Sequence, residues 1–389
     1  MIDTHFTAPN PAAVGIDPDK LELLVQRVAQ DVNDGVLPAA QMAIARHGKI
    51  AALRTFGAAT DNALFNVFSS TKAITSAAGW LLIQDSKLSI DERVCDIVPQ
   101  FGTHGKDVIK VEWLFTHTAG FPNAPFAPLD WQDSAKRNAR YAAWRPNWEP
   151  NTRYEYHPTS SMWVIAEIIE RRSDMEFADF VRSRIADPLG LTDLWLGCPR
   201  EQHHRIAPVM HCNEAMTPAE LSAAGLPPPV EGGEVTEEFL TAFNRTDYRQ
   251  VPVPGAGGIT SAAELALFYQ ALVNNGRALD GTQVWREDTL AHALEVRNNF
   301  ADLMGIPVNR ALGVVIAGDE RRAGRGFGHT NSPAAFGHGG AGGQIAWADP
   351  ATGISFAYCT NGHDRHLVRQ ARRGISLSNR AAVCALATN

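Results

Sequence analysis

The sequence predicts an α/β protein of the α+β type: an antiparallel sheet flanked by helices and built from both ends of the chain, with a mainly helical region inserted between. The expectation rests on three observations. Near the N-terminus two strand-like runs, Gln41 to Arg46 and Ile50 to Phe56, meet at His47-Gly48-Lys49 and read as an antiparallel hairpin. Near the C-terminus, Gln344 to Ala348, the turn residues Asp349-Pro350-Ala351-Thr352-Gly353 and the alternating Ile354, Phe356 and Tyr358 read as a second one. Between the hairpins, apolar residues recur mostly at helical spacing. The expected division is 1–68 with 258–389 for the sheet domain and 69–257 for the helical domain, the active site lying in the groove between them.

Element by element, Leu21, Leu23, Leu24, Val28 and Val32 form a helical stripe from Asp17 to about Asp34, with Asp17 as N-cap and Pro18 at the first helical position. The apolar run Leu64 to Phe68 leads into a buried helix over 69–86, marked by Ile74, Ala77, Ala78, Leu81 and Leu82. Ser160 to Arg172 and Phe177 to Ile185 follow as helices, and Ser261 with Glu264 forms a capping box opening another. Two stretches, 121–152, dense in Pro, Trp and Phe, and 199–257, dense in Pro and Gly, read as long loops over the groove. Phe121, Phe126, Trp131, Trp144 and Trp148 in the first either line an acyl or alcohol pocket, the reading adopted, or form the loop's own small core.

The chain has 389 residues, 45% hydrophobic and 20% charged, as in an ordinary globular protein. A net charge of -7 without a basic block argues against nucleic acid or an anionic membrane as partner, leaving a small molecule as the expected one. No signal-like N-terminus and no apolar run of spanning length occur, so a cytoplasmic location is the expectation. Five cysteines, Cys95, Cys198, Cys212, Cys359 and Cys384, lack a Cys-x-x-Cys and read as buried thiols in a reducing compartment.

The chemistry concentrates in Phe68-Ser69-Ser70-Thr71-Lys72, the only Ser-x-x-Lys pair in the chain. Positions three apart share a helix face, which sets the Lys72 amine beside the Ser69 hydroxyl. Serine must lose its proton as it attacks, and a lysine accepts that proton only when neutral, a state favoured by burial and by a nearby helix N-terminus. The same N-terminus offers the Ser69 N–H to an oxyanion. On a solvated face the pair would be a coincidence of spacing, but its apolar neighbours argue for burial. A third polar group must carry the proton to the leaving group. Tyr156, in Pro150-Asn151-Thr152-Arg153-Tyr154-Glu155-Tyr156-His157-Pro158, is the candidate; alternatively it simply alternates with Tyr154 in an extended segment.

Taken together, these segments resemble the serine β-lactamase and penicillin-binding-protein superfamily, and within it the class C-like family VIII carboxylesterases. Ser69-x-x-Lys72 looks like the first motif, and Tyr156 falls on the catalytic tyrosine of the second. His338-Gly339-Gly340 looks like the third, which is Lys-Thr-Gly in lactamases. Supporting segments are Leu114 to Gly120, Pro188-Leu189-Gly190-Leu191 and Pro254 to Ile259, in the family's order over roughly residues 15 to 365. The resemblance implies the β-lactamase/transpeptidase-like fold, Ser69 as acylated nucleophile, Lys72 as general base and Tyr156 as proton carrier. It also implies an oxyanion hole from the N–H groups of Ser69 and of Ala341, on an edge strand after Gly340, with His338, Gly339 and Gly340 against the substrate.

Two departures shape the expected activity. Pro158 replaces an asparagine whose amide helps hold the lysine, and His338 replaces the lysine that grips a lactam carboxylate. An ester needs no such anchor, so the expected function is a serine esterase acting on small-molecule esters. The same machinery would serve a D-amino-acid peptidase or amidase, an acyltransferase or a weak β-lactamase, and a non-catalytic binding protein is the alternative of another class. Neither metal nor cofactor is expected: His203, His204, His211 and Cys212 fit no zinc spacing, and no Gly-x-Ser-x-Gly or βαβ nucleotide signal occurs. His117 reads as a turn buttress, and His338 has the parallel reading of a strand-entry residue.

Overall fold

The computed structural model describes residues 4–226 and 235–386. Eleven strands are present among them: β1 Ala39–Arg46, β2 Lys49–Gly57, β3 Phe65–Asn66, β4 Trp195–Leu196, β5 Met210–Cys212, β6 Gly258–Thr260, β7 Val315–Ile316, β8 Phe336–Gly337, β9 Ile345–Asp349, β10 Ile354–Thr360 and β11 Gly362–Asp364. The main sheet has six strands in the order β2-β1-β10-β9-β8-β7, antiparallel throughout. Its two hairpins are the ones the turn residues predict. His47 and Gly48 both take positive φ (54° and 76°), the pair of left-handed residues that matches strand twist in a two-residue turn. At the other hairpin the Asp349 carboxylate accepts the Ala351 N–H at 2.9 Å, and Gly353 closes the turn at φ 69°.

Helices cover both faces of this sheet. On one, α1 (Pro18–Asn33) packs beside the C-terminal helix Leu367–Ala382, and Ile44, Trp347, Phe356 and Leu377 belong to one apolar core. The Asp17 carboxylate caps α1 through the N–H groups of Asp19 and Lys20, with Pro18 at the first position. Arg373 bonds both Asp31 and Asp364, tying the two helices together through buried charges. On the other face lies the helix Ala262–Val273. Its buried Gln270 donates to the carbonyls of Ala45 and Gly353, each at 3.0 Å, and accepts the Gly48 N–H at 2.8 Å, so one amide clamps both hairpin turns.

Two details differ from the sequence expectation. Ser261 caps the helix, accepting the Glu264 N–H at 3.2 Å, but the reciprocal half of the box is missing. The Glu264 carboxylate instead accepts the Asp193 N–H at 2.8 Å, a tertiary demand that outranks the local one. The stretches read as loops also carry short elements, including a helix at Ser134–Ala143 and others at Pro218–Ala223 and Glu237–Ala242. Between β3 and β6 the described residues carry helices, the short strands β4 and β5 and long connections. A small sheet in the order β3-β6-β4 lies beside the start of α2 (Thr71–Gln84), β3 leading into it through the turn Phe68–Ser70.

Candidate active site

Ser69 is carried on a single 3-10 turn, Phe68–Ser70, that runs into α2. Phe68 holds φ 45°, a left-handed conformation that costs of order 1–3 kcal/mol for a bulky residue. Packing holds it there: its buried ring meets Phe243 and His363 edge to face, at centroid distances of 5.6 and 4.8 Å. This kink leaves Ser69 half-exposed while Ser70, Thr71 and Lys72 are fully buried.

The Lys72 amine donates to the carbonyls of Pro158, at 2.7 Å, and Gly255, at 2.9 Å, and lies 3.1 Å from the Ser69 hydroxyl oxygen. Pro158, which lacks the side-chain amide of its lactamase counterpart, thus holds the lysine through its main chain. The Pro254 to Gly258 segment straps α2 from the other side: Thr75 donates to the Pro254 carbonyl at 2.6 Å, and Gly258 N–H to Thr71 at 2.8 Å. That glycine-rich segment therefore positions the lysine.

Tyr156 closes the group. Its ring centroid lies 5.0 Å from Lys72 Nζ and 5.4 Å from Arg310 Cζ, and the Ser69 side chain acts on its hydroxyl. Burial raises the phenol above its ordinary range, while the Arg310 charge and the Ser69 contact oppose that rise. On the flanks sit the rings of His117, at 4.7 Å, and His338, at 6.1 Å. His117, at φ 59°, accepts the His157 N–H through Nδ1. His157 in turn accepts the Phe121 N–H through Nε2 at 3.1 Å and meets the Glu155 carbonyl through Nδ1 at 2.6 Å, so the two rings hold the backbone on either side of Tyr156.

The third segment, His338 to Gly340, extends β8. The His338 N–H bonds the Ala346 carbonyl at 3.0 Å and the Tyr269 hydroxyl at 3.1 Å. Its ring Nδ1 lies 2.7 Å from the Gly339 carbonyl, which requires the proton on Nδ1 and leaves Nε2 an acceptor. Burial, with the charges of Arg310 and Lys72, holds this imidazole well below its usual range, so it is neutral. Gly340 admits no side chain, since a Cβ would lie 2.2 Å from the Val67 carbonyl. The edge-strand placement of Ala341 requires correction. Gly340 bridges to Gln344, and Ala341 sits at the start of the intervening turn, where Gly342 and Gly343 take φ 80° and 92°. β7 flanks β8 only at Phe336 and Gly337. The Gln344 side chain anchors the turn to Thr360 on β10, accepting its N–H at 2.9 Å and donating to its carbonyl at 2.8 Å.

Ser69, Tyr156, His338, Gly339, Gly340 and Ala341 all border one groove of about 760 Å³. Its further walls are mostly apolar, including Met304, Ile306, Val315 and Ile375. Among the described residues its one arginine, Arg325, donates to the carbonyls of Ala317 and Pro307 and pairs with Asp319, so that charge is already engaged. The five aromatic residues read as a pocket border none of it. Phe121, Phe126, Trp131 and Trp144 are buried, with Phe126 stacked on Trp163 at 4.3 Å, and Trp148 donates to Glu155. The four buried rings belong to the same apolar core as Trp163 and Ile74. His203, His204 and His211 each bond a main-chain carbonyl. Cys198, Cys359 and Cys384 are buried thiols, but Cys95 and Cys212 are partly exposed. No helix among the described residues is long and apolar enough to cross a membrane.

A serine one turn before a buried lysine at the start of a helix, in a fold with a six-stranded antiparallel sheet packed against helices, defines a serine hydrolase of the β-lactamase type. The β-lactamase family model matches residues 24–378, and the chain belongs to that family. It is 26% identical over 306 residues to the esterase/beta-lactamase LipL of Mycobacterium tuberculosis, covering 76% of this chain and 68% of that one. Two solved structures superpose closely. A penicillin-binding-protein homologue from Caulobacter crescentus has a TM-score of 0.78 at 26% identity, covering 94% of this chain and 99% of the other. A family VIII carboxylesterase has a TM-score of 0.76 at 25% identity, with the same coverage.

Proposed function

We propose that this protein is a serine esterase that cleaves carboxylic esters with an apolar substituent through an acyl-enzyme on Ser69. The observation that supports this most is the set of partners around Lys72. The amine donates to the Pro158 and Gly255 carbonyls and to the Ser69 hydroxyl; once neutral, it can keep the two carbonyl bonds and turn its lone pair to the Ser69 hydroxyl.

In acylation the Ser69 oxygen bonds to the ester carbonyl carbon as its proton passes to Lys72. The N–H groups of Ser69 and Ala341 receive the oxyanion. The phenol of Tyr156 protonates the departing alkoxide and is reloaded from Lys72. For deacylation the phenol proton moves to Lys72, and the phenolate takes a proton from water as it attacks. When the acid departs, Ser69 recovers its proton from Lys72, so the cycle closes without net change in the enzyme.

Esters are favoured over lactams because His338 is neutral and the groove wall, among the described residues, holds no disengaged cation for a carboxylate. The carboxylesterase name of the family VIII structure agrees with this reading, while LipL carries both an esterase and a beta-lactamase name. The test is turnover of p-nitrophenyl acyl esters beside a D-amino-acid amide and a chromogenic cephalosporin. Ester cleavage that vanishes in Ser69→Ala supports the proposal; preferential turnover of the amide or the cephalosporin would replace it.

A further inference from the structure

Arg310 is nine-tenths buried, and its guanidinium donates to the Tyr154 hydroxyl at 3.2 Å. Its Nε and one terminal nitrogen have no hydrogen-bond partner among the described residues. No carboxylate pairs with it there, although ion pairs engage Arg137, Arg205 and Arg373 elsewhere. Buried, unpaired arginine is costly, because the charge cannot be discharged by deprotonation. The cation stands 5.8 Å from the Tyr154 ring and 5.4 Å from the Tyr156 ring.

The charged and titratable groups around Tyr156 are Lys72 from α2, His117 from the turn after Phe115, His338 beyond β8, Tyr154 on its own segment and Arg310. Asp302 acts at longer range, through Tyr154. Both histidines are held neutral by burial and by the arginine itself. Lys72 gains and loses a proton within the proposed cycle. Arg310 is then the one member of the group whose positive charge persists through every step.

We infer that Arg310 is a positioning residue for the reaction, supplying the fixed positive charge that steadies the Tyr156 phenolate each time the phenol gives up its proton. The inference rests on the proposed Ser69–Lys72–Tyr156 chemistry. It assigns to a residue outside the three motifs the cationic role that a neutral His338 leaves vacant.

The test compares Arg310→Met, which keeps the stem and removes the charge, with Arg310→Lys, which keeps a charge, on a short p-nitrophenyl ester. The active state of Lys72 and Tyr156 has one proton fewer than the fully protonated pair, and a nearby cation favours it, so the two titrate together. Arg310→Met should move the rising limb of kcat/KM against pH by about one unit to higher pH. Activity at neutral pH then falls about tenfold and returns in alkali. Arg310→Lys should keep the limb near its original place. An unmoved limb in Arg310→Met, or equal shifts in both variants, would overturn the inference. If Arg310→Met fails to fold, ultraviolet difference titration against Tyr156→Phe, in the unaltered protein and in an Arg310→Gln background, reads the phenol directly. A Tyr156 midpoint no higher without the guanidinium charge would then overturn the inference. Residual hydrolysis by Ser69→Ala would instead sink the reading beneath it, so the two failures are separable.

Discussion

Lys72 and Lys106 are both fully buried, and both amines donate to main-chain carbonyls: Pro158 and Gly255 for the first, Thr103 and Trp144 for the second. The third contact differs. Lys106 bonds the Thr103 hydroxyl, whose own proton is given to the Ala142 carbonyl at 2.7 Å, so the arrangement closes a turn. Lys72 faces a hydroxyl that borders the groove. Burial of a lysine among carbonyls is therefore a structural device of this chain; chemistry requires an accessible nucleophile on the remaining side.

The comparison breaks first at the groove. Ser69→Ala and Lys72→Ala should each lower kcat/KM for a p-nitrophenyl ester by at least about 10³-fold, because members of one catalytic unit fail together. Lys106→Met should leave that constant within about twofold, and steady-state kinetics on the three variants decide the matter. Next, Tyr156→Phe should cost about 10²-fold or more, the range of a lost proton carrier, with the loss in kcat and little change in KM. Gly374 sharpens the groove itself: it lines the wall, and a Cβ there meets nothing within 4 Å. Gly374→Leu should reduce turnover of a long-chain ester about tenfold while sparing the acetate, read from a chain-length series.

The smallest effect belongs to the closed site. Burial, with the Arg145 charge, pushes Lys106 down to about 8 from its ordinary 10.5. A base depressed in the folded state favours folding above its unfolded value and loses that contribution as pH falls toward the folded one. The unaltered protein should therefore gain stability relative to Lys106→Met as pH rises from about 8 to about 10.5. Urea midpoints at both ends of that window measure the difference. Near pH 8 the variant should be weaker by about 1–3 kcal/mol through its unsatisfied carbonyls.

Much of this was legible in sequence because it is local. Asp17-Pro18 announced α1, the His47-Gly48 and Asp349 to Gly353 turns announced the two hairpins, and Ser69 with Lys72 needed only helical spacing to meet. What local pattern cannot carry is choice among distant partners. Glu264 left its expected capping bond for Asp193, more than seventy residues away. The aromatic residues between Phe121 and Trp144 found Trp163 and Tyr141 before any substrate, since a buried ring serves a core as readily as a pocket. Arg310 carried no signal at all: a lone arginine before Ala-Leu-Gly reads as surface until the fold turns it onto Tyr154 and Tyr156. Pro158 shows the converse, where a missing side-chain donor concealed a main-chain acceptor for Lys72.

The most direct measurement is intact mass spectrometry of the protein after brief exposure to a p-nitrophenyl acyl ester or a phosphonate, followed by peptide mapping. One added acyl or phosphonyl group is expected, confined to the peptide bearing Ser69 and absent from Ser69→Ala. Label on another residue, or ester turnover that persists without Ser69, would contradict an acyl-enzyme built on Ser69, Lys72 and Tyr156.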